Sequence, residues 1–136
     1  MPGPRVFTTE EIDALVPRLE TVCTRIDSVR ARLRSLSIRA NALELIWGSK
    51  VHDLENPDHG EMEQHLADMK AAEDEVERLS KRVARLGGQL KSLDPPLVDF
   101  YGVREGRLVF WCWTRGEQRV DHWHHVDQGF SNRQPV

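Results

Sequence analysis

The stretch LVPRLETVCTRIDSVRARLRSLSIRANALELIW, residues 15–47, decides the fold. Its apolar residues Leu15, Leu19, Val22, Ile26, Val29, Leu33, Leu36, Ala40, Leu43 and Trp47 step by alternating fours and threes. That spacing keeps one face of an α-helix apolar along its length, the seam of helices that pack side by side. Just upstream, Thr8 is an N-cap with Glu11 three positions on, the two halves of a capping box. Phe7 and Ile12 stand where a hydrophobic staple closes the helix entry. A helix over residues 7–47 is therefore expected, about forty residues and roughly 60 Å of rod. Pro17 lies inside it and removes one backbone donor, which predicts a kink or a short first segment.

Moving outward, residues 48–56 are polar and read as a turn. Asn56-Pro57-Asp58 then resembles a helix start with proline at the first position. A second helix over 57–86 carries Met62, Leu66, Met69, Val76, Leu79, Val83 and Leu86 on one face, and Gly87-Gly88 supplies its left-handed stop. The first helix is basic in its middle (Arg25, Arg30, Arg32, Arg34, Arg39) and the second acidic (Asp68, Glu73, Asp74, Glu75, Glu77). Folding at the turn brings these blocks together, so a long antiparallel helical hairpin, coiled-coil-like, is expected. Pairing within the chain also accounts for the arginines without a phosphate-binding patch. Two helices bury a thin core, and a second copy completing a four-helix bundle would cover the rest, so a homodimer is expected.

After Gly88 the pattern changes. Leu97–Phe100 is a short strand candidate, Leu108–Thr114 a stronger one, residues 115–118 a turn, and residues 119–126 the returning strand. The tail from Gln128 reads as irregular. The fold class is thus α+β, mostly α. One domain over residues 1–136 joins the hairpin to a small C-terminal antiparallel β unit, with the β unit and tail at 89–136.

A net charge of −3 over 136 residues argues against a nucleic-acid partner. No apolar run approaches the ~20 residues of a membrane span. Met1-Pro2-Gly3-Pro4-Arg5 has no apolar core of a secretory leader, so the cytoplasm is the expected compartment. Cys23 and Cys112 fall in apolar patterns outside any C-x-x-C pair, and both read as buried thiols.

The C-terminal half carries a set of unusual pairs in order: Leu97-Val98-Asp99-Phe100, Gly106-Arg107, Cys112-Trp113, Gly116-Glu117, Trp123-His124, Gly129-Phe130 and Arg133-Gln134-Pro135. With Phe7-Thr8-x-Glu10-Glu11 and Leu15-x-Pro17-x-Leu19, these make the chain resemble the bacterial domain-of-unknown-function family 2203 over essentially its whole length. The resemblance implies no established activity. It implies motif positions at Asp99, Cys112, Trp113, Glu117, Trp123, His124, Phe130 and Arg133. His122 and His125 depart from the pattern, which has Tyr-Trp-His followed by an acidic residue.

Chemistry concentrates in Asp121-His122-Trp123-His124-His125. On a strand, residues two apart share a face, so His122 and His124 would present two imidazoles together, a common pair of metal ligands. Asp99, Cys112, Glu117, Asp121 and Asp127 are further candidates. A thiolate from Cys112 would favour zinc or copper, and a histidine–carboxylate set iron, manganese or zinc. The ordinary alternative is structural or exposed histidines. Asp99 in an apolar strand requires a partner, with Arg133 or Arg107 available. Trp111, Trp113 and Trp123 could line a pocket for a small organic ligand or simply cap the helices. His52, Asp53, His59, Glu61 and His65 form a second polar group, most simply a solvated turn.

Three functions compete. The first is a binding module, with His122 and His124 for a transition metal (zinc, iron or copper) and Asp99, Cys112, Trp113, Glu117, Trp123 and Arg133 for a small ligand. The second is a scaffold that works through the helical hairpin. The third is a small metal-dependent enzyme.

Overall fold

The computed structural model describes residues 5–136. Met1–Pro4, on which part of the leader reading rests, lie outside the described residues. The fold is α+β. Helix α1 spans Thr9–Trp47, a short 3-10 turn Gly48–His52 follows, and helix α2 spans His59–Leu86. Five strands complete the chain: β1 (Gln89–Leu93), β2 (Pro96–Arg104), β3 (Arg107–Thr114), β4 (His122–His125) and β5 (Gln134–Pro135). Among the described residues no helix is long and apolar enough to cross a membrane.

The chain divides into two compact units, residues 26–79 and the remainder. In the unit of residues 26–79, Ala40, Val51 and Met62 form a buried cluster with Leu43, Trp47 and Met69 packed against it. The Trp47 indole donates to Asp58 Oδ2 at 2.8 Å, which ties the end of α1 to the start of α2. The expected seam of α1 lies on its buried side: Ile26, Val29, Leu36 and Ala40 are all buried. On α2 the seam differs from the expectation. Leu66 is 38% exposed, whereas His65 is 8% exposed and Ala72 5%. Met62, His65, Met69, Ala72, Val76 and Leu79 step by threes and fours, and the buried side of α2 follows this line rather than Leu66.

The other unit contains residues 5–25 and 80–136 of the described chain. Its helix start is the expected capping box: the Thr8 amide donates to Glu11 Oε1 at 3.0 Å, and the Glu11 amide to Thr8 Oγ1 at 3.2 Å. Pro17 lies within α1, and the helix continues through it from Thr9 to Trp47. The end of α2 is a Schellman motif, with the Gly88 amide donating to Val83 O at 3.2 Å, the Gly87 amide to Ala84 O at 3.0 Å, and Gly87 at φ +100°.

The sheet is an antiparallel meander in the order β1-β2-β3-β4-β5. Side chains alternate between its faces. One face carries Val98, Phe100, Val109, Trp111, Trp113 and Trp123, all buried. This face meets the chain's start: Phe7 packs edge-on against Phe100, and the Trp111 indole donates to Phe7 O at 2.8 Å. The loop between β3 and β4 is held to α1 by Gly116 N–H to Glu20 Oε1 and Val120 N–H to Asp13 Oδ1, each 2.8 Å. The opposite face carries Asp99, Tyr101, Phe110, Cys112, His122 and His124.

Candidate metal centre

Asp99, Cys112 and His124 come from three neighbouring strands. The register sets Asp99 opposite Cys112 and Cys112 opposite His122. Cross-strand partners share a face, and a side chain one diagonal step away remains within reach. His124 lies one such step along β4, beside Phe110, and its ring meets the Phe110 ring at 5.5 Å. One ligand atom from each of Asp99, Cys112 and His124 lies within 4.8 Å of the others. All three residues are buried, at 4%, 1% and 2% exposure.

The hydrogen bonds fix the orientation of the imidazole. His124 Nδ1 lies 2.8 Å from the His125 carbonyl oxygen, which only accepts, so Nδ1 carries a proton and donates. Nε2 lies 3.0 Å from Asp99 Oδ2, within hydrogen-bond distance. An imidazole whose far nitrogen donates to a backbone carbonyl is the usual arrangement behind a metal-ligating histidine. Burial pushes the Cys112 thiol up to about 12, the Asp99 charge adds to the rise and Arg133 opposes it, so Cys112 is a thiol at neutral pH. The group is a buried polar network as it stands. With the thiol proton removed, it presents one oxygen, one sulfur and one nitrogen ligand.

The centre opens onto a cavity of about 240 Å³. Asp99, Cys112 and His124 form one wall. Lys91, Leu97 and, from the tail, Gln128, Gly129 and Phe130 line the rest.

His122 shares the face but not the group. Arg133 Nη2 lies 2.6 Å from His122 Nδ1 and 2.9 and 2.8 Å from the two Glu117 oxygens. A guanidinium nitrogen only donates, so His122 Nδ1 is an acceptor here, and its 3.2 Å approach to Glu117 Oε2 is proximity rather than an ion pair. Glu117 also accepts from the Thr114 amide at 2.7 Å, and its carbonyl accepts from the Trp113 indole at 2.8 Å. Arg133 is thus engaged by Glu117, and the partner of Asp99 is His124. Trp113 and Trp123 project from the opposite face. The cavity-lining residues that sequence reasoning did not single out are Lys91 and Gln128. Lys91 belongs to β1, a strand with no strong pattern of its own.

The second histidine group resolves differently. His65 is buried in the α2 seam with Nε2 3.4 Å from Glu61 Oε1, and no metal-ligating group forms around it among the described residues.

A family model matches residues 5–136, nearly the whole chain, and its description is an uncharacterized conserved protein. The chain belongs to the DUF2203 family. In this DUF2203 protein Asp99, Cys112 and His124 form a group that could hold a metal ion, and Glu117 and Arg133 pair beside it. No curated protein and no solved structure matches the chain.

Proposed function

We propose that this protein binds a zinc ion through Asp99, Cys112 and His124, with the fourth coordination position facing the adjoining cavity. The carrying observation is the convergence of three chemically suitable ligands in a buried site. A thiolate with an imidazole and a carboxylate suits zinc better than iron, and three protein ligands with one open position is the pattern of zinc sites that bind or activate a further molecule. The ion would neutralise the group, since two positive charges meet one carboxylate and one thiolate. The cytoplasm suits two thiols that are both buried and free.

Elemental analysis of untagged protein, dialysed against a weak chelator, tests this directly. One zinc per chain is expected, falling to a trace in Cys112→Ala and His124→Ala. Cobalt(II) substitution provides a second readout, because a thiolate ligand gives an intense near-ultraviolet charge-transfer band that Cys112→Ser should remove. Metal content that dialysis strips from the wild type, or that both variants retain, would rule the site out.

A second reading concerns residues 26–79. Ile38, Leu45, Ile46 and Leu54 are 69%, 88%, 68% and 86% exposed. Large apolar side chains so far in solvent favour an interaction surface. On this reading the two helices pair as an antiparallel coiled-coil-like hairpin, and a second copy of the chain covers these residues in a homodimer.

A further inference from the structure

We infer that the cavity beside the proposed zinc centre receives a small monocarboxylate, with its carboxylate oxygen on the metal and its apolar body against Leu97 and Phe130. This deepens the zinc reading and rests on it. Three observations carry it.

The first is charge. Zinc with one carboxylate and one thiolate is neutral, and the remaining ionic group on the cavity wall is Lys91. Among the described residues no carboxylate pairs with Lys91; its ammonium stands 4.8 Å from the centre of the Phe110 ring. The other nearby cation, Arg133, is already neutralised by Glu117. The cavity therefore presents one net positive charge, which one negative charge balances.

The second is shape and polarity. At about 240 Å³ the cavity lies below the ~300 Å³ where pockets for drug-sized ligands begin, so the guest is small. Leu97, buried, and Phe130, half-exposed, are its apolar lining residues. Gln128 is the one neutral polar side chain there. A phosphate dianion is recognised by several converging donors, and a single ammonium with these apolar residues matches a carboxylate with a short hydrocarbon group better.

The third is the anchoring of the tail wall. Gly129 and Phe130 lie between the Gln128 amide, which donates to His125 O at 3.0 Å, and Arg133, which grips Glu117. The tail is thereby held against the strand that carries His124.

The test uses the full chain loaded with cobalt(II), with butyrate, butyramide and inorganic phosphate as probes. Butyrate should shift the visible cobalt bands saturably, butyramide should not, and phosphate should compete weakly or not at all. Lys91→Met keeps the apolar stem and should weaken butyrate roughly tenfold, the scale of one charge-assisted contact. Phe130→Ala should weaken it by a smaller factor. Both side chains are exposed enough for the variants to fold, and both should retain the metal and its thiolate band. If cobalt binds with that band but the visible spectrum ignores butyrate, or if butyramide or phosphate binds as well as butyrate, the carboxylate inference falls and the metal centre stands. If cobalt binds without a thiolate band, or does not bind, both fall.

Discussion

At the scale of single residues, the proposed centre is a balance of protons against a cation. The metal-free group holds a proton on the Cys112 sulfur and sets His124 Nε2 3.0 Å from Asp99 Oδ2. Zinc bound through the sulfur would displace the thiol proton, so its affinity should rise with pH and binding should release at least one proton per ion at neutral pH. Calorimetry in buffers of different ionisation enthalpy measures that number; release of fewer than one would mean that the thiol is not a ligand. Cys23 makes a second prediction that is free of metal. Burial, helped by the Glu20 charge and opposed by Arg115, raises its thiol from 9.0 to about 11. A raised acid in the folded state holds its proton where the unfolded chain has lost it. Its stabilising contribution is therefore complete below pH 9.0 and is lost as pH rises through about 11. Urea unfolding across that window should show a shallower decline in Cys23→Ala than in the wild type. Much of this chemistry was legible in the residues: Asp99, Cys112 and His124 were all candidates. The allocation between His122 and His124 was not. Both share one face as the strand period requires, but Arg133, eleven positions on, occupies His122, and no local pattern reports where the tail returns.

At the scale of elements, the signals with a fixed geometry were readable, whereas those set by neighbours were not. The capping box at Thr8 and the glycine stop after Leu86 are local hydrogen-bond patterns and appear where the residues place them. Strand β1 has no alternation and contains Lys91 and Ser92, and β5 is two residues; each exists because an adjacent strand offers its edge. The buried side of α2 runs through His65 rather than Leu66, because a helix face is fixed by the positions around it and not by one side chain. Gly102 illustrates the same dependence on neighbours. A Cβ there would collide with the Trp111 indole nitrogen, whose proton is committed to Phe7 O. Gly102→Ala must then displace the indole or the strand, a cost of about 1–3 kcal/mol in overpacking. Gly60, with nothing near its Cβ, is the matched control, and Gly60→Ala should leave stability unchanged or slightly raised. Chemical denaturation of both variants compares them; equal midpoints would show that the Trp111 contact is soft.

At the scale of the whole molecule, the two readings of function draw on different residues, and this allows them to be separated. All three proposed zinc ligands and the cavity fall in the unit of residues 5–25 and 80–136, and Ile38, Leu45, Ile46 and Leu54 fall in the unit of residues 26–79. Ile38 and Leu45 are seven positions apart on α1, so they share a face, and Ile46 flanks it. That face is not the buried seam, which runs through Leu36, Ala40 and Leu43. A homodimer would therefore use the outer face of α1 and leave the internal packing of the helices undisturbed. Leu45→Glu with Ile46→Lys places charges on that face without touching the Ala40–Val51–Met62 cluster. Light scattering after size exclusion should read a dimer for the wild type and a monomer for the double variant. Zinc stoichiometry should be identical in the two, because no ligand lies in that unit. A wild type that is monomeric at high concentration would remove the dimer and leave the metal reading intact. A variant that loses zinc along with its partner would mean that assembly completes the centre, and the two functions would then be one.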